Sequence, residues 1–175
     1  MMRLKNLKKI CSFSVSDWHL ITMLAPYLSK KLESEEKIYT FFETDMQEIM
    51  QKFLSKLTLN SNLKQKLQKL NWNSNKGYKY TQAINLFNDI KNETFMIVVN
   101  GSISHIEKVN INIEKWIRKN NIENDITIIN CYEVMQFNDN IKKILDLHDK
   151  ILNTSGEKEI EEVFEGYGKS KQDVG

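Results

Sequence analysis

The segment Ala25 to Glu43, APYLSKKLESEEKIYTFFE, constrains the fold most, because it reads as the end of an amphipathic helix running straight into a buried strand. Leu24, Leu28 and Leu32 share one helical face, while Lys30, Lys31 and Glu33 lie on the other. Ile38, Tyr39, Phe41 and Phe42 then form a short apolar and aromatic run, the pattern of a strand covered on both sides. A second such run, Ile126 to Phe137, has the same character with a polar exit.

Read along the chain, helical and strand patterns alternate. Lys9 to Phe13 is a first strand, and Ser16 or Asp17 caps a helix reaching Glu33, with Pro26 expected to kink or restart it. Lys37 to Phe42 is a second strand. Thr44 or Asp45 then caps a helix with Met46, Ile49, Met50, Phe53, Leu54 and Leu57 at helical spacing. Leu63 to Leu70 reads as a short helix or the approach to a weak third strand around Leu70 to Trp72. After a loop at 73–77, a helix carries Tyr80, Ile84, Phe87 and Ile90, and Phe95 to Val99 is a clear strand. Ile106 to Ile117 is helical, and Ile126 to Cys131 is the fifth strand. Ile141, Ile144, Leu145, Leu147, Ile151 and Leu152 fit one long final helix closed by Ser155-Gly156.

The expected fold is therefore α/β and three-layered. A mostly parallel central sheet of about five strands carries helices on both faces. Residues 1–155 form the domain, and 156–175 form a short C-terminal helix around Ile160, Val163 and Phe164 with a flexible tail. Sheets of this kind bind ligands beyond the carboxyl ends of their strands. The candidate site residues are accordingly Ser14, Ser16, Asp17 and Trp18 after the first strand; Glu43 after the second; Trp72; Asn100 and Ser102 after the fourth; and Tyr132 and Glu133 after the fifth.

Several chemistries lack their residues. The first strand-to-helix loop, SFSVSDWH, has no glycine to wrap a phosphate and no lysine to reach one. The run Asn100-Gly101-Ser102 supplies no carboxylate for magnesium. No CxxC spacing suggests zinc, so neither metal nor cofactor is expected. Cys11 and Cys131 read as two buried thiols rather than a disulfide framework. His19 reads as a polar helix-surface residue in preference to a sensor, and His105 and His148 receive no role. Trp18 and Trp72 either wall a small-ligand pocket or pack against helices. Glu133 is the most suggestive carboxylate, since a charge ending a buried strand needs a partner or water.

Composition sets the remaining bounds. At 175 residues with a net charge of +2, the chain is large enough for one core and too weakly charged to imply nucleic acid or membrane. Lys5–Lys9 and Lys64–Lys69 read as solvated faces. The basic and then apolar N-terminus has too short an apolar part for a signal peptide, and no run approaches the roughly 18 residues of a spanning helix. A cytoplasmic protein is expected.

These stretches resemble the MEDS domain, a sensory domain of methanogen and methylotroph regulators. That family has an H-x-C-x-x-Y strand, a Pro-aromatic-Leu helical step, a G/E-E-K turn and an apolar strand ending in an acid. Here stand Ile10-Cys11-Ser12-Phe13, Pro26-Tyr27-Leu28, Glu35-Glu36-Lys37 and IYTFFE ending at Glu43. The family's C-Q-Y-D step and following Phe correspond to Asn130-Cys131-Tyr132-Glu133 and Phe137. The resemblance runs from Lys9 to Asn153. Lys9 stands at the family's histidine, Asn130 at its second cysteine, and Gly101-Ser102 at its Gly-Glu step.

What the resemblance implies is a RecA-like fold with degenerate nucleotide loops and a non-catalytic sensory or regulatory role. The ligand would be a small molecule, a signalling protein or both, bound at the sheet's carboxyl edge, with a homodimer as a further expectation. The rival readings are a divergent nucleotide-binding ATPase or transferase, and an interaction regulator with no small-molecule ligand.

Overall fold

The structure, a computed structural model, describes residues 3–58, 60–74, 88, 93–136 and 141–167. The expected helix at Tyr80 to Ile90, the residues of the loop beyond Ser74, Phe137 and the tail beyond Tyr167 lie outside the described residues, Asn88 excepted. The strands are β1 Leu7–Ser14, β2 Lys37–Phe42, β3 Phe95–Asn100, β4 Ile126–Glu133, β5 Lys150–Asn153 and β6 Gly156–Lys158. They form one sheet in the order β2-β3-β4-β1-β5-β6, parallel throughout except for the antiparallel β5–β6 pair. The helices are α1 Asp17–Glu33, α2 Gln47–Ser55, α3 Ser61–Lys69, α4 Ile103–Lys119, α5 Ile141–Asp146 and α6 Ile160–Val163.

The apolar strand runs produce two cores because successive side chains on a strand point to opposite faces. Ile10, Phe42, Met96, Val98, Ile129 and Leu152 pack against α1, α2 and α3 through Leu20, Leu24, Leu28, Met50, Phe53 and Leu67. On the other face Phe41, Ile97, Val99, Ile128 and Ile151 meet Ile106, Ile113 and Trp116 of α4, Ile144 of α5 and Ile160 of α6. All six residues of β3 are buried, as a central strand covered twice requires. The same alternation separates the cysteines. Cys11 belongs to one core and Cys131 to the other, and both are buried and free.

Helix α1 begins where the sequence places it. Ser16 is its N-cap, and its hydroxyl accepts from the His19 amide at 3.1 Å. The helix continues unbroken through Pro26, which is exposed, so it does not restart there. At α2 the N-cap is Met46, which makes no side-chain cap bond, rather than Thr44 or Asp45; Asp45, one residue earlier, accepts from the Gln47 amide at 3.0 Å.

Two expectations fail. No strand forms at Leu70 to Trp72; the only pairing there among the described residues is a single parallel bridge from Phe42 to Ser74. Trp72 is instead fully buried and stacked on Phe42, with ring centroids 5.4 Å apart. Its ring N–H donates to Leu67 O at 2.7 Å, and its carbonyl accepts from Met46 N at 2.7 Å. This packing holds the segment against the end of the sheet without joining it.

The long final helix is also absent. It ends at Asp146, and β5 follows, pairing with β1 through Ile10↔Lys150 and Ser12↔Leu152. The seven-residue steps from Ile144 to Ile151 and from Leu145 to Leu152 imitate a helical face. Ile151 and Leu152 in fact point into opposite cores. Asn153 then accepts from Ser155 N at 2.9 Å, and Gly156 at φ 106° turns the chain into β6. The sheet therefore has six strands and continues past residue 155. Glu157 ties its outer strand back, bonding Lys8 and accepting from Tyr27 Oη at 2.9 Å. Among the described residues no helix is long and apolar enough to cross a membrane.

Candidate functional site

Strand order locates the edge where a ligand would dock. Neighbouring β1 and β4 send their chains in opposite directions, to α1 on one face and, through the 3-10 turn Val134–Gln136, to α5 on the other. That divergence is a topological switch point. Ser14 and Glu133 are register partners at its base.

The loop leaving β1 satisfies its own backbone. The Val15 N–H donates to His19 Nδ1 at 3.1 Å, and the His19 N–H donates to the Ser16 hydroxyl. The arrangement resembles a capping box, with histidine in place of the usual glutamate. A backbone N–H can only donate, so His19 Nδ1 is unprotonated in this bond. Asp17 lies in the first turn of α1, where a carboxylate complements the helix dipole. Replacing Ser16 by alanine is expected to lower stability by about 1 kcal/mol in urea unfolding, whereas Ser16→Asp should largely preserve it.

Around this loop the surface is apolar. Val15 is 69% exposed, Met135 84% and Val134 39%. Trp18 is half-exposed, its ring edge-on to Phe53 at 5.7 Å, with Lys56 Nζ over its face at 5.1 Å.

Glu43 closes the neighbouring part of the edge. Its carboxylate accepts from Ser102 N at 2.7 Å, its own N–H donates to Asn100 O at 2.9 Å, and its carbonyl accepts from the Ser74 hydroxyl at 2.7 Å. Ser102 caps α4, accepting from His105 N at 3.2 Å. His105 Nε2 lies 3.1 Å from Phe41 O, which requires that nitrogen to carry the proton. Gly101 sits inside this clasp at φ 154°. A side chain there would overlap the Glu43 carboxylate and stand 2.7 Å from Glu43 Cβ and 2.9 Å from His105 Cδ2.

The structure thus separates the candidate residues by task. Ser14, Asn100, Trp72 and Tyr132 are buried. Trp72 takes the core alternative, and Tyr132 packs between Phe13 at 5.9 Å and the edge of His148 at 5.9 Å. Ser16 and Ser102 are helix caps, and Glu43 is a strut between β2 and α4. Trp18 is exposed and Asp17 and Glu133 are half-buried, and the exposed Val15 and Val134 directly follow the register partners Ser14 and Glu133.

Sequence reading missed a buried polar relay. The Asn110 and Asn130 amides bond reciprocally at 2.8 and 3.0 Å, and Asn110 also donates to Ile106 O at 2.7 Å. The second Asn130 N–H meets His148 Nε2 at 3.0 Å, and His148 Nδ1 meets Ile144 O at 2.6 Å. The carbonyl fixes the proton on Nδ1 and leaves Nε2 as the acceptor, so His148 is neutral. Burial pushes its pKa down to about 4. A signal was present: Asn110 falls on the Ile106–Ile113–Ile117 helical face, and Asn130 interrupts an otherwise apolar strand.

Cavities of about 380 and 420 Å³ open at the opposite, amino ends of β1 and β2, and neither is lined by a candidate residue. Among the described residues, no group of three His, Cys, Asp or Glu side chains is placed to hold a metal ion. No family model, no curated protein and no solved structure matches this chain.

Proposed function

We propose that this chain is a non-catalytic sensory or regulatory domain of the MEDS type, recognising a small molecule or a signalling protein at the carboxyl edge of its sheet. The observation that carries this reading is the self-capped loop after β1. Its Val15 and His19 N–H groups already bond His19 Nδ1 and Ser16 Oγ, where a nucleotide phosphate would need free donors. With no glycine or lysine in the loop, the divergent ATPase or transferase reading loses its phosphate site.

What the edge offers instead is the exposed apolar side chains of Val15, Trp18, Val134 and Met135, together with the half-buried carboxylates of Asp17 and Glu133. Exposed apolar groups suit an apolar ligand or a protein surface. The flanking negative charges disfavour a polyanion such as nucleic acid.

The test is a thermal-shift screen against magnesium nucleotides and a metabolite panel. Binding at 100 times the dissociation constant adds about 2.7 kcal/mol of stability. The expected result is no response to magnesium-ATP and a metabolite response that disappears in Glu133→Ala. A magnesium-dependent ATP shift overturns the reading in favour of the enzyme. Silence across the whole panel removes the small-molecule arm and leaves protein recognition.

A further inference from the structure

We propose that the cavity along the C-terminal half of α4 binds a sugar phosphate, a polyol carrying one phosphate monoester. The site is separate from the carboxyl edge and does not rest on the role proposed for that edge. Asn88, Asn112, Lys115, Trp116, Lys119 and Asn120 line it, and its volume is about 260 Å³.

The charge on its wall is of one sign. Lys115 and Lys119 stand four positions apart on one helical face, where like charges repel. Both are exposed, and among the described residues neither forms an ion pair. Among the described residues the lining holds no carboxylate to offset them.

The other polar groups are amides in fixed positions. Asn112 Nδ2 donates to Lys108 O at 2.8 Å, and Asn120 Nδ2 donates to Trp116 O at 2.9 Å. Each bond fastens its side chain along the helix and leaves Oδ1 to accept from a ligand. Asn88 uses the opposite end of its amide. Its Oδ1 accepts from Trp116 Nε1 at 2.9 Å, which leaves its own N–H groups to donate.

This combination selects the ligand. Two ammonium groups match a dianion, and a phosphate monoester carries a charge of about −1.5 to −2 at pH 7. A carboxylate carries one charge and leaves one lysine unmatched. Hydroxyls both donate and accept, so a polyol serves Asn112 and Asn120 as well as Asn88. An apolar ligand finds only Trp116, which is buried. A nucleotide is too large, because the volume falls below the roughly 300 Å³ at which sites for drug-sized molecules begin.

Calorimetric titration of the full chain with D-glucose-6-phosphate tests this, with D-glucose, D-gluconate and inorganic phosphate as further arms. Glucose lacks the phosphate, gluconate carries a single negative charge, and inorganic phosphate lacks the polyol. The expected result is saturable binding of the sugar phosphate and at least about tenfold weaker binding of each other arm. Lys115→Gln and Lys119→Gln should each weaken the sugar phosphate about tenfold. Asn112→Ala should weaken it while leaving inorganic phosphate unchanged. None of the three side chains is buried, and circular dichroism checks that the variants fold. Inorganic phosphate binding as tightly as the sugar phosphate overturns the polyol, and gluconate binding as tightly overturns the dianion. Unchanged affinity in both lysine variants, or no saturable binding of the sugar phosphate up to about 10 mM, overturns the site itself.

Discussion

Gly101→Ala is expected to lower folding stability by about 3 kcal/mol, read as a reduced urea midpoint with an unchanged slope. Two costs add. The backbone at φ 154° is one that side-chain-bearing residues rarely adopt, and the new methyl would stand 2.7 Å from Glu43 Cβ. Glu43 cannot simply swing aside, because its carboxylate holds Ser102 N and its main chain bonds Asn100 and Ser74. The effect should therefore depend on Glu43. In Glu43→Ala the overlap with the carboxylate disappears, so adding Gly101→Ala there should cost at least about 1 kcal/mol less than in the parent chain. If the two substitutions prove additive, backbone strain and the contacts with Glu43 Cβ and His105 that survive in Glu43→Ala account for the glycine, and the carboxylate is not what demands it.

The second large effect concerns acid. An unfolded chain protonates His148 near its ordinary value of 6.5, while the folded chain resists until about pH 4. Burial is the main cause, reinforced by Lys9 and Arg3 and opposed by Ile144 O and Asp149. A depressed folded-state pKa means that the unfolded state binds the proton first. Stability is thus insensitive to this group above about pH 6.5 and falls as the pH drops toward 4, by about 3 kcal/mol at that limit. Protonation would also turn Nε2 into a donor facing the Asn130 N–H. Urea midpoints measured from pH 7 to 4 should show this slope in the parent chain, and His148→Gln should flatten it. A variant with the same slope would assign the acid sensitivity to carboxylates instead. At neutral pH, Asn130→Ala should cost about 3 kcal/mol, because Asn110 and His148 each lose a buried partner.

Where the sequence could be read, one strong pattern governed each segment. The apolar run from Phe95 could only be a central strand. Ser16 and the Leu20–Leu24–Leu28 face fixed α1, and the alternation of these elements fixed the α/β class. Reading failed where two periods coincide. Ile144, Leu145, Ile151 and Leu152 satisfy a helical repeat, yet the first two lie on a helix and the last two on a strand, where Leu152 alone turns into the other core. What decides between them is not local: Asp149 accepts from Lys9 N at 2.9 Å and donates its own amide to Lys9 O at 2.8 Å, ending the helix through a contact 140 positions away.

Ser14, Asn100, Tyr132 and Glu133 do lie at strand ends, whereas Trp72 follows no strand, and the duties of all five were not legible. Cap, strut and core filler all draw on the same serine, glutamate and tryptophan vocabulary. Asn110 and Asn130 show the converse. Single polar residues in apolar runs look like imperfections until their partners are seen.

The placement of the two cysteines has a practical meaning. Cys11 and Cys131 sit on adjacent strands but face away from each other across the thickness of the sheet, each sealed in its own core. Burial pushes the Cys11 thiol up to about 12 and raises Cys131 as well, so neither offers a thiolate at neutral pH. An alkylating reagent must therefore wait for the molecule to open. Because the two thiols occupy opposite layers, comparing their modification rates would tell whether the helices on the two faces lift together or one sheet face at a time.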